Sequence, residues 1–323
     1  MVNGFAAASA GVNAADTPGS ASPPRLRPGA RAAISPRMAE PSTGVPVQLE
    51  PLVARVLAPN PSPYTHTGTQ THLVGTADLA VVDPGPDDPA HLDALLAAIA
   101  GRPVRAILVT HHHRDHSPAS RPLARATGTP IVGAAPFAPA DAGSRADAAF
   151  DPDYGPDRVL AEGDAVSGED WTLEAIATPG HTSNHLAFAL PETRALFSGD
   201  HVMGWSTTIV SPPDGDMGAY MASLEKLQAR DDRIYYPGHG EAVESPQRLV
   251  RGMIGHRRQR EGQILRLLGE GVAAIPALAA RMYAGLDPRL IPAAERSILA
   301  HLIDLERRGL IRKQEEENWA KAG

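Results

Sequence analysis

The chain has 323 residues, of which 42% are hydrophobic and 21% are charged, a globular composition that excludes wholesale disorder and a collagen-like fibre. It contains no cysteine, which excludes disulfide bonds, thiolate metal ligands and a cysteine nucleophile. The formal net charge is −7, yet residues 248–313 carry 13 basic and 6 acidic side chains, so a basic C-terminal segment follows an acidic body.

The first 46 residues differ from the rest of the chain. Residues 1–46 are rich in Ala, Pro and Gly and show no periodic apolar pattern. Such a segment buries too little surface to offset its ordering entropy, so we predict a disordered tail.

A first folded domain is predicted over residues 47–255. Short runs rich in β-formers and bounded by Gly, Pro, Asp or Thr predict strands at 71–76, 79–85, 104–110, 171–178, 185–190, 194–200 and 234–240. Helical periodicity appears at 89–101 and 219–229. Several strands with helices outside them predict two packed sheets with flanking helices, an α/β (α+β) fold.

The remainder of the chain predicts a small helical domain over residues 256–316, followed by a tail at 317–323. Helices are predicted at 246–268, 276–283 and 292–308. Ile298, Leu302 and Leu305 share one stripe of the last helix, and Gly309 follows its end. A short run at 310–312 then fits one strand of a wing, so we predict a winged-helix-like domain.

Four predicted strands end in residues that can bind metal ions. The strand at 104–110 leads directly into His111-x-His113-x-Asp115-His116. The other three strand ends lead to His181, Asp200 and His239, each next to or one residue after a glycine. A glycine lets the backbone turn sharply, and neither core packing nor surface requirements explain four such endings. With no thiolate available, imidazole and carboxylate groups would hold the ions.

These segments, together with Asp83 in VVDPG, resemble the five motifs of the metallo-β-lactamase superfamily of metal-dependent hydrolases. The resemblance spans about residues 47–256 and implies an αββα sandwich. It implies that one divalent ion is bound by His111, His113 and His181, and a second by Asp115, His116 and His239. It further implies that Asp200 bridges both ions, and that Asp83 orients a ligand histidine through its free ring nitrogen.

This ligand set predicts hydrolysis by a metal-activated water. Zinc accepts imidazole and carboxylate ligands and leaves a position open in catalytic sites, so two Zn²⁺ ions are the expected cofactors. Two neighbouring ions lower the pKa of a shared water, and the resulting bridging hydroxide is the expected nucleophile. Asp115 is the predicted catalytic residue, because it is placed to accept the proton. Nickel, manganese or iron are alternatives.

Four further residues are candidates for substrate contacts. His185 lies four residues after His181, where the family often carries another histidine, although a satisfied strand residue is the alternative. Trp205, Thr207 and Thr208 resemble the family's loop beyond the bridging aspartate and are predicted to line the pocket, although Trp205 fits simple packing equally. Histidines without a partnered pattern are predicted to be surface or packing residues: His66, His72, His91, His256 and His301.

The C-terminal segment bears on the substrate. Residues 216–227, 256–268 and 298–311 resemble the β-lactamase-like protein 2 group, which carries a winged helix and includes single-strand-selective endoribonucleases. The leading expectation is therefore a dinuclear hydrolase of that type, in its sharper form a phosphodiesterase or endoribonuclease. The acidic body and the 4% aromatic content argue against RNA. The lack of cysteine disfavours an efficient β-lactamase.

Two alternatives stay open. One is a thioester, ester or lactone hydrolase of the glyoxalase II type, and the other is a nucleic-acid-binding regulator with a metal-sensing site. The expected partners are a small-molecule or RNA substrate, with a homodimer possible through the C-terminal domain. The sequence has no run of 18 apolar residues, so we expect no membrane partner and a cytoplasmic location.

Overall fold

The computed structural model describes residues 42–137, 149–314 and 318–322. Within the predicted tail, residues 1–41 lie outside the described residues, and the first strand begins at Val47. None of the described helices is long and apolar enough to cross a membrane. The cytoplasmic location stays a prediction.

Seven strands form the first sheet in chain order: β1 (Val47–Glu50), β2 (Val53–Leu57), β3 (Gln70–Val74), β4 (Leu79–Val82), β5 (Val104–Val109), β6 (Ile131–Gly133) and β7 (Arg158–Val159). Strands β1 to β4 pair antiparallel, and β4 to β7 pair parallel. Parallel neighbours need crossovers, which helices α1 (Pro89–Ile99) and α2 (Ser120–Thr127) supply for β4–β5 and β5–β6. Helix α1 begins where the Asp88 carboxylate accepts a hydrogen bond from the His91 backbone N–H.

Five strands form the second sheet: β8 (Ala165–Ser167), β9 (Thr172–Ala177), β10 (Leu186–Leu190), β11 (Ala195–Gly199) and β12 (Ile234–Pro237). The spatial order is β12-β11-β10-β9-β8, and only β11 and β12 run parallel in it. Helix α3 (Met217–Gln228) makes the crossover between them, with the Asp216 carboxylate capping its first turn.

The two sheets pack face to face. Strand alternation directs Val74 and Val82 toward Phe188 and Phe197 of the second sheet. The intervening residues, such as Val81, face α1 and α2 on the outside. Helix α3 and the following helix cover the outer face of the second sheet. This arrangement confirms the predicted αββα sandwich.

The C-terminal region is the predicted winged helix. Its elements are α4 (Pro246–Gly269), α5 (Ile275–Met282), a 3₁₀ turn (Pro288–Leu290), α6 (Ile291–Arg307), β13 (Ile311–Lys313) and β14 (Trp319–Lys321). Helix α4 crosses the predicted boundary at 255/256 without a break. Its first half, including Val250 and Ile254, packs against the second sheet, whereas Ile264 and Leu267 pack into the winged-helix core.

The chain end differs from the prediction of a tail at 317–323. Residues 319–321 form β14, which pairs antiparallel with β13 and completes the wing. Trp319 is buried among the residues of the winged-helix core, and this burial holds the strand in place. A three-residue strand with a single apolar anchor carries no recognisable sequence pattern, which explains the error.

His72 provides a test of the sandwich core. Its ring lies between the sheets, 5.1 Å from the Phe197 ring and 5.7 Å from the Tyr236 ring. Burial, assisted by the positive charge of Arg55, lowers its pKa to about 3. The unfolded chain therefore binds a proton below pH 6.5 that the folded chain does not bind, so the free energy of unfolding should fall as the pH falls from 6.5 toward 3.

We expect His72→Leu to remove about 2 kcal/mol of the loss in unfolding free energy between pH 7 and pH 5. Urea unfolding of the metal-free protein at both pH values measures it. The exposed His66→Leu variant serves as the control. An unchanged pH dependence in His72→Leu would contradict the burial of a neutral imidazole in the core.

Candidate metal centre

The candidate site lies where strands of both sheets end. Strands β4 and β5 are parallel neighbours with Val82 opposite Leu108, so Asp83 and His111 follow at the same sheet edge. Strands β11 and β12 are likewise parallel and lead to Asp200 and His239. The two edges are joined by a hydrogen bond from the Leu186 N–H to the Thr110 carbonyl oxygen, 2.8 Å long. The topology therefore brings together residues that lie far apart in sequence.

Two groups of side chains at this edge could hold metal ions. The first comprises His111, His113 and His181, and the second comprises Asp115, His116, Asp200 and His239. Within each group the donor atoms lie within 4.8 Å of one another. These are the seven residues predicted as ligands, and Asp200, which was predicted to bridge both ions, falls in the second group. That they ligate metal stays a prediction.

Asp200 lies between the two groups. Its Oδ1 is 3.4 Å from Nε2 of His116 and 3.4 Å from Nε2 of His239. Its Oδ2 is 3.7 Å from Nε2 of His181. One carboxylate thus presents one oxygen to each group, which is the placement that the predicted bridging role requires.

The outer ring nitrogens fix which atom each histidine directs inward. Nδ1 of His181 donates to the Ile209 carbonyl at 2.6 Å, and Nδ1 of His239 donates to the Gly68 carbonyl at 3.2 Å. Nδ1 of His116 donates to the Asp83 carboxylate at 3.0 Å. With a proton held on Nδ1, the atom that each of these rings directs toward the site is Nε2, which can coordinate an ion when it carries no proton.

Asp83 and Thr110 settle the orientation of His111. The Thr110 hydroxyl and backbone N–H both donate to the Asp83 carboxylate, each at 2.8 Å. The hydroxyl has a single hydrogen, so at 2.9 Å it must accept from Nδ1 of His111. Nε2 of His111 is then a bare acceptor, buried and without a hydrogen-bond partner among the described residues. A buried polar atom left in this way fits a metal ligand.

Gly238 keeps side-chain atoms out of the second donor group. A Cβ atom at Gly238 would lie 2.6 Å from the His116 ring and 2.7 Å from Oδ1 of Asp200. Any larger residue there would therefore fill the space between these donors. His113, which directs Nδ1 inward, places that atom 3.2 Å from Nε2 of His181. The donor types and their spacing together fit divalent ions.

The electrostatics of the two groups differ. Burial, reinforced by neighbouring histidines, holds the pKa of His111 and of His113 well below the usual value, so both rings are neutral and can coordinate. Burial also lowers the pKa of His116, but the carboxylates of Asp115 and Asp200 outweigh it and raise that pKa well above the usual value. The second group is therefore the more attractive to cations.

Of the four residues predicted to contact substrate, two are buried behind Asp200 and two lie at the surface. His185 is buried, its Nδ1 contacts the Thr178 hydroxyl at 2.8 Å, and its Nε2 accepts the Asp200 backbone N–H at 3.2 Å. Both ring nitrogens are thereby occupied, so His185 holds the Asp200 backbone instead of facing a substrate. Thr208 is also buried, and its hydroxyl donates to the Asp200 carbonyl at 2.7 Å.

Trp205 and Thr207 lie at the surface of the same loop. Trp205 is 36% exposed and stacks on His66, with 4.8 Å between the ring centroids. It lines a cleft of about 520 Å³. Thr207 is exposed. Contact of either residue with substrate stays a prediction.

Sequence reasoning missed the groups that orient the donors. The carbonyls of Gly68 and Ile209 have no side-chain signature, and any residue could supply them. Thr110 directly precedes the histidine motif, where its hydroxyl could have been noticed. His112, the middle histidine, is buried with Nε2 3.4 Å from the Asp214 carboxylate and stacks on Phe137. Its role is packing beside the site.

Comparison with known proteins identifies two families in this chain. Residues 65–239 match the family model of the metallo-beta-lactamase superfamily, and residues 274–319 match that of the beta-lactamase associated winged helix domain. An atrochrysone carboxyl ACP thioesterase of Aspergillus fumigatus is 35% identical over 221 residues, which are 67% of this chain and 65% of the thioesterase. The aligned part thus spans just under two thirds of that relative.

Two further proteins are similar to this chain. A beta-lactamase-like protein 2 homolog of Caenorhabditis elegans is 34% identical over 69% of this chain and 73% of its own. The crystal structure of a beta-lactamase domain protein from Burkholderia ambifaria has a TM-score of 0.73 at 23% identity, covers 87% of this chain and 95% of that one, and shows the shared fold. The chain therefore belongs to the metallo-β-lactamase superfamily of hydrolases and carries that superfamily's associated winged helix domain.

Proposed function

We propose that this protein is a dinuclear metal-dependent hydrolase, with one divalent ion in each donor group and Zn²⁺ as the ion. The position of the Asp200 carboxylate between the two groups is the observation that carries the proposal. Imidazole and carboxylate donors suit zinc. When bound, a pair of such ions lowers the pKa of water and stabilises the negative charge that develops on the substrate.

The residues around the ions have separate tasks in this proposal. Asp200 spaces the two groups, and His185 and Thr208 hold its backbone. Asp115 is the more accessible of the two carboxylates, with 24% of its side chain exposed against 10% for Asp200. Its Oδ2 is 3.0 Å from Nε2 of His239, so it can accept a proton from an attacking water beside both groups.

Metal content tests the dinuclear proposal. We expect wild-type protein to bind two Zn²⁺ ions per chain by elemental analysis, and His113→Ala to lose the ion of the first group. Hydrolysis should fall by more than the 10–100-fold that is typical of losing an outer partner of a ligand. His256→Ala, a histidine on α4 outside both groups, is the control. Full metal content and activity in His113→Ala would contradict the proposal.

The substrate that we propose is a thioester with an apolar acyl group. A cleft of about 520 Å³ is lined by Trp205, which packs on Gly240, the residue after His239; the seven donor residues do not line the cleft themselves. His66, which stacks on Trp205, precedes by two residues the Gly68 carbonyl that accepts from His239. The lining is mainly apolar, with Val243 and Leu249 contributing, and its volume lies in the range of small-molecule sites.

The relative from Aspergillus fumigatus supports this choice, because its name states that it is a thioesterase acting on a carboxyl ACP. Thioester hydrolysis is the alternative that the sequence left open, and it now becomes the leading proposal. An activated acyl group needs only a nucleophile and stabilisation of the developing oxyanion, which the proposed metal pair would supply.

RNA cleavage is the second candidate, and the basic segment 248–313 favours it. Six of its arginines, however, already pair with carboxylates and offer less charge to phosphates: Arg258, Arg266, Arg281, Arg289, Arg307 and Arg308. The dimer and the regulator predicted from sequence stay predictions.

A substrate panel separates these proposals. We expect zinc-loaded protein to hydrolyse acyl thioesters with a higher kcat/KM than nitrocefin or single-stranded RNA, and kcat/KM to rise with the length of an apolar acyl chain. Trp205→Ala should lower kcat/KM for long acyl chains by about tenfold, equivalent to losing about 1.4 kcal/mol of apolar contact. The matched control is the short-chain thioester, for which the variant should match wild type. Faster cleavage of RNA than of every thioester would overturn the thioester proposal.

A further inference from the structure

Arg257 is a buried arginine on α4, with 3% of its surface exposed. Within residues 42–137, 149–314 and 318–322, no carboxylate lies within ion-pair distance of its guanidinium. Burying a charge costs free energy unless other polar contacts compensate for it. The guanidinium of Arg257 therefore needs other polar contacts.

Those contacts lead to the loop that follows Asp200. The guanidinium donates to the carbonyl oxygen of Thr208. Its central carbon lies 5.2 Å from the ring centroid of Tyr220, a cation–π arrangement. The Tyr220 hydroxyl in turn donates to the His201 carbonyl at 3.1 Å. Arg257 thus links the loop that contains Thr208 to helices α4 and α3.

The linked segment contacts two donor residues, Asp200 and His181. The Thr208 hydroxyl donates to the Asp200 carbonyl at 2.7 Å and lies 3.0 Å from the His201 carbonyl. The neighbouring Ile209 carbonyl accepts the hydrogen bond from Nδ1 of His181 that keeps Nε2 free for coordination. A shift of residues 208 and 209 would therefore move the Asp200 backbone and change the orientation of the His181 ring.

We propose that Arg257 is a positioning residue of the metal centre, acting through the Thr208–Ile209 segment on Asp200 and His181. The proposal rests on the proposed function of the two donor groups as metal ligands. A carbonyl that accepts from a guanidinium is held more firmly than one that accepts from a neutral donor, because charge-assisted hydrogen bonds are stronger. The contacts that compensate for burying the charge thus also hold the backbone beside Asp200 and His181 in place.

The test compares four variants by metal affinity and by the absorption spectrum of the cobalt-substituted protein. Arg257→Met keeps the length of the side chain but removes its donors, whereas Arg257→Lys keeps the charge and one donor group. Thr208→Val removes the hydroxyl that holds Asp200. Arg258→Met is the matched control, because Arg258 is the next residue on α4 but lies exposed against Glu225.

We expect Arg257→Met and Thr208→Val to weaken zinc binding by about 10–100-fold, measured by competition with a chelating indicator, and to shift the cobalt spectrum. Arg257→Lys should recover part of both effects, and Arg258→Met should match wild type. These readouts report the ligand geometry directly and do not depend on knowing the substrate.

Two results would overturn the proposal. One is a lower melting temperature of metal-free Arg257→Met with unchanged zinc affinity and cobalt spectrum, which would make the arginine merely structural. If Arg257→Met does not fold, wild-type affinity and spectrum in both Arg257→Lys and Thr208→Val would overturn it equally. Wild-type protein that binds metal but hydrolyses no thioester would refute the proposed function alone, whereas wild-type protein that binds no metal would refute both.

Discussion

The structure depends on one electrostatic constraint: the lone pairs of five imidazoles and two carboxylates converge on a small volume. The carboxylates in such a cluster repel each other unless protons or metal ions lie among the donors. What holds it together in the protein is a set of hydrogen bonds on its outer side, which ring N–H groups donate to the Asp83 carboxylate and to the carbonyls of Gly68 and Ile209. The fold thus preorganises the donors before any ion binds.

The αββα architecture serves this constraint directly. Parallel strand pairs in each sheet bring their carboxyl ends to one edge, and the two sheets place those edges side by side. The donors therefore lie in segments that follow the ends of rigid strands, while Trp205 and His66 lie on the surrounding loops. A rigid centre surrounded by variable loops suits a superfamily in which one kind of metal site acts on many substrates.

The sequence predicted the ligand residues because each is a strongly coordinating side chain placed just beyond a strand. It could not fix the roles of His185 and Thr208, since a histidine and a threonine near the site are equally compatible with facing the substrate and with holding the backbone of Asp200. Only their burial and partners decide. The backbone carbonyls that orient His181 and His239 were beyond reach, because any residue supplies a carbonyl.

The C-terminal region shows a different limit of prediction from sequence. Helical periodicity predicted every end of α4, α5 and α6 to within one residue. The domain boundary placed at 255/256 nevertheless falls inside α4, because a change in composition marks a change in surface charge and not a break in the helix. The wing strand was missed because Trp319 alone anchors it. Long periodic elements are thus readable from sequence, whereas short strands depend on tertiary packing.

The unbroken course of α4 has a consequence for how this protein can change over evolution. An α-helix advances about 100° per residue, so inserting or deleting a single residue between Ile254 and Ile264 would swing one apolar stripe out of phase with the other. Loops at domain junctions usually absorb such changes. Here one continuous helix joins the sandwich to the winged helix, and both of its apolar stripes must keep their orientation. We therefore expect the length of this junction to vary far less than the length of the loops around the cleft.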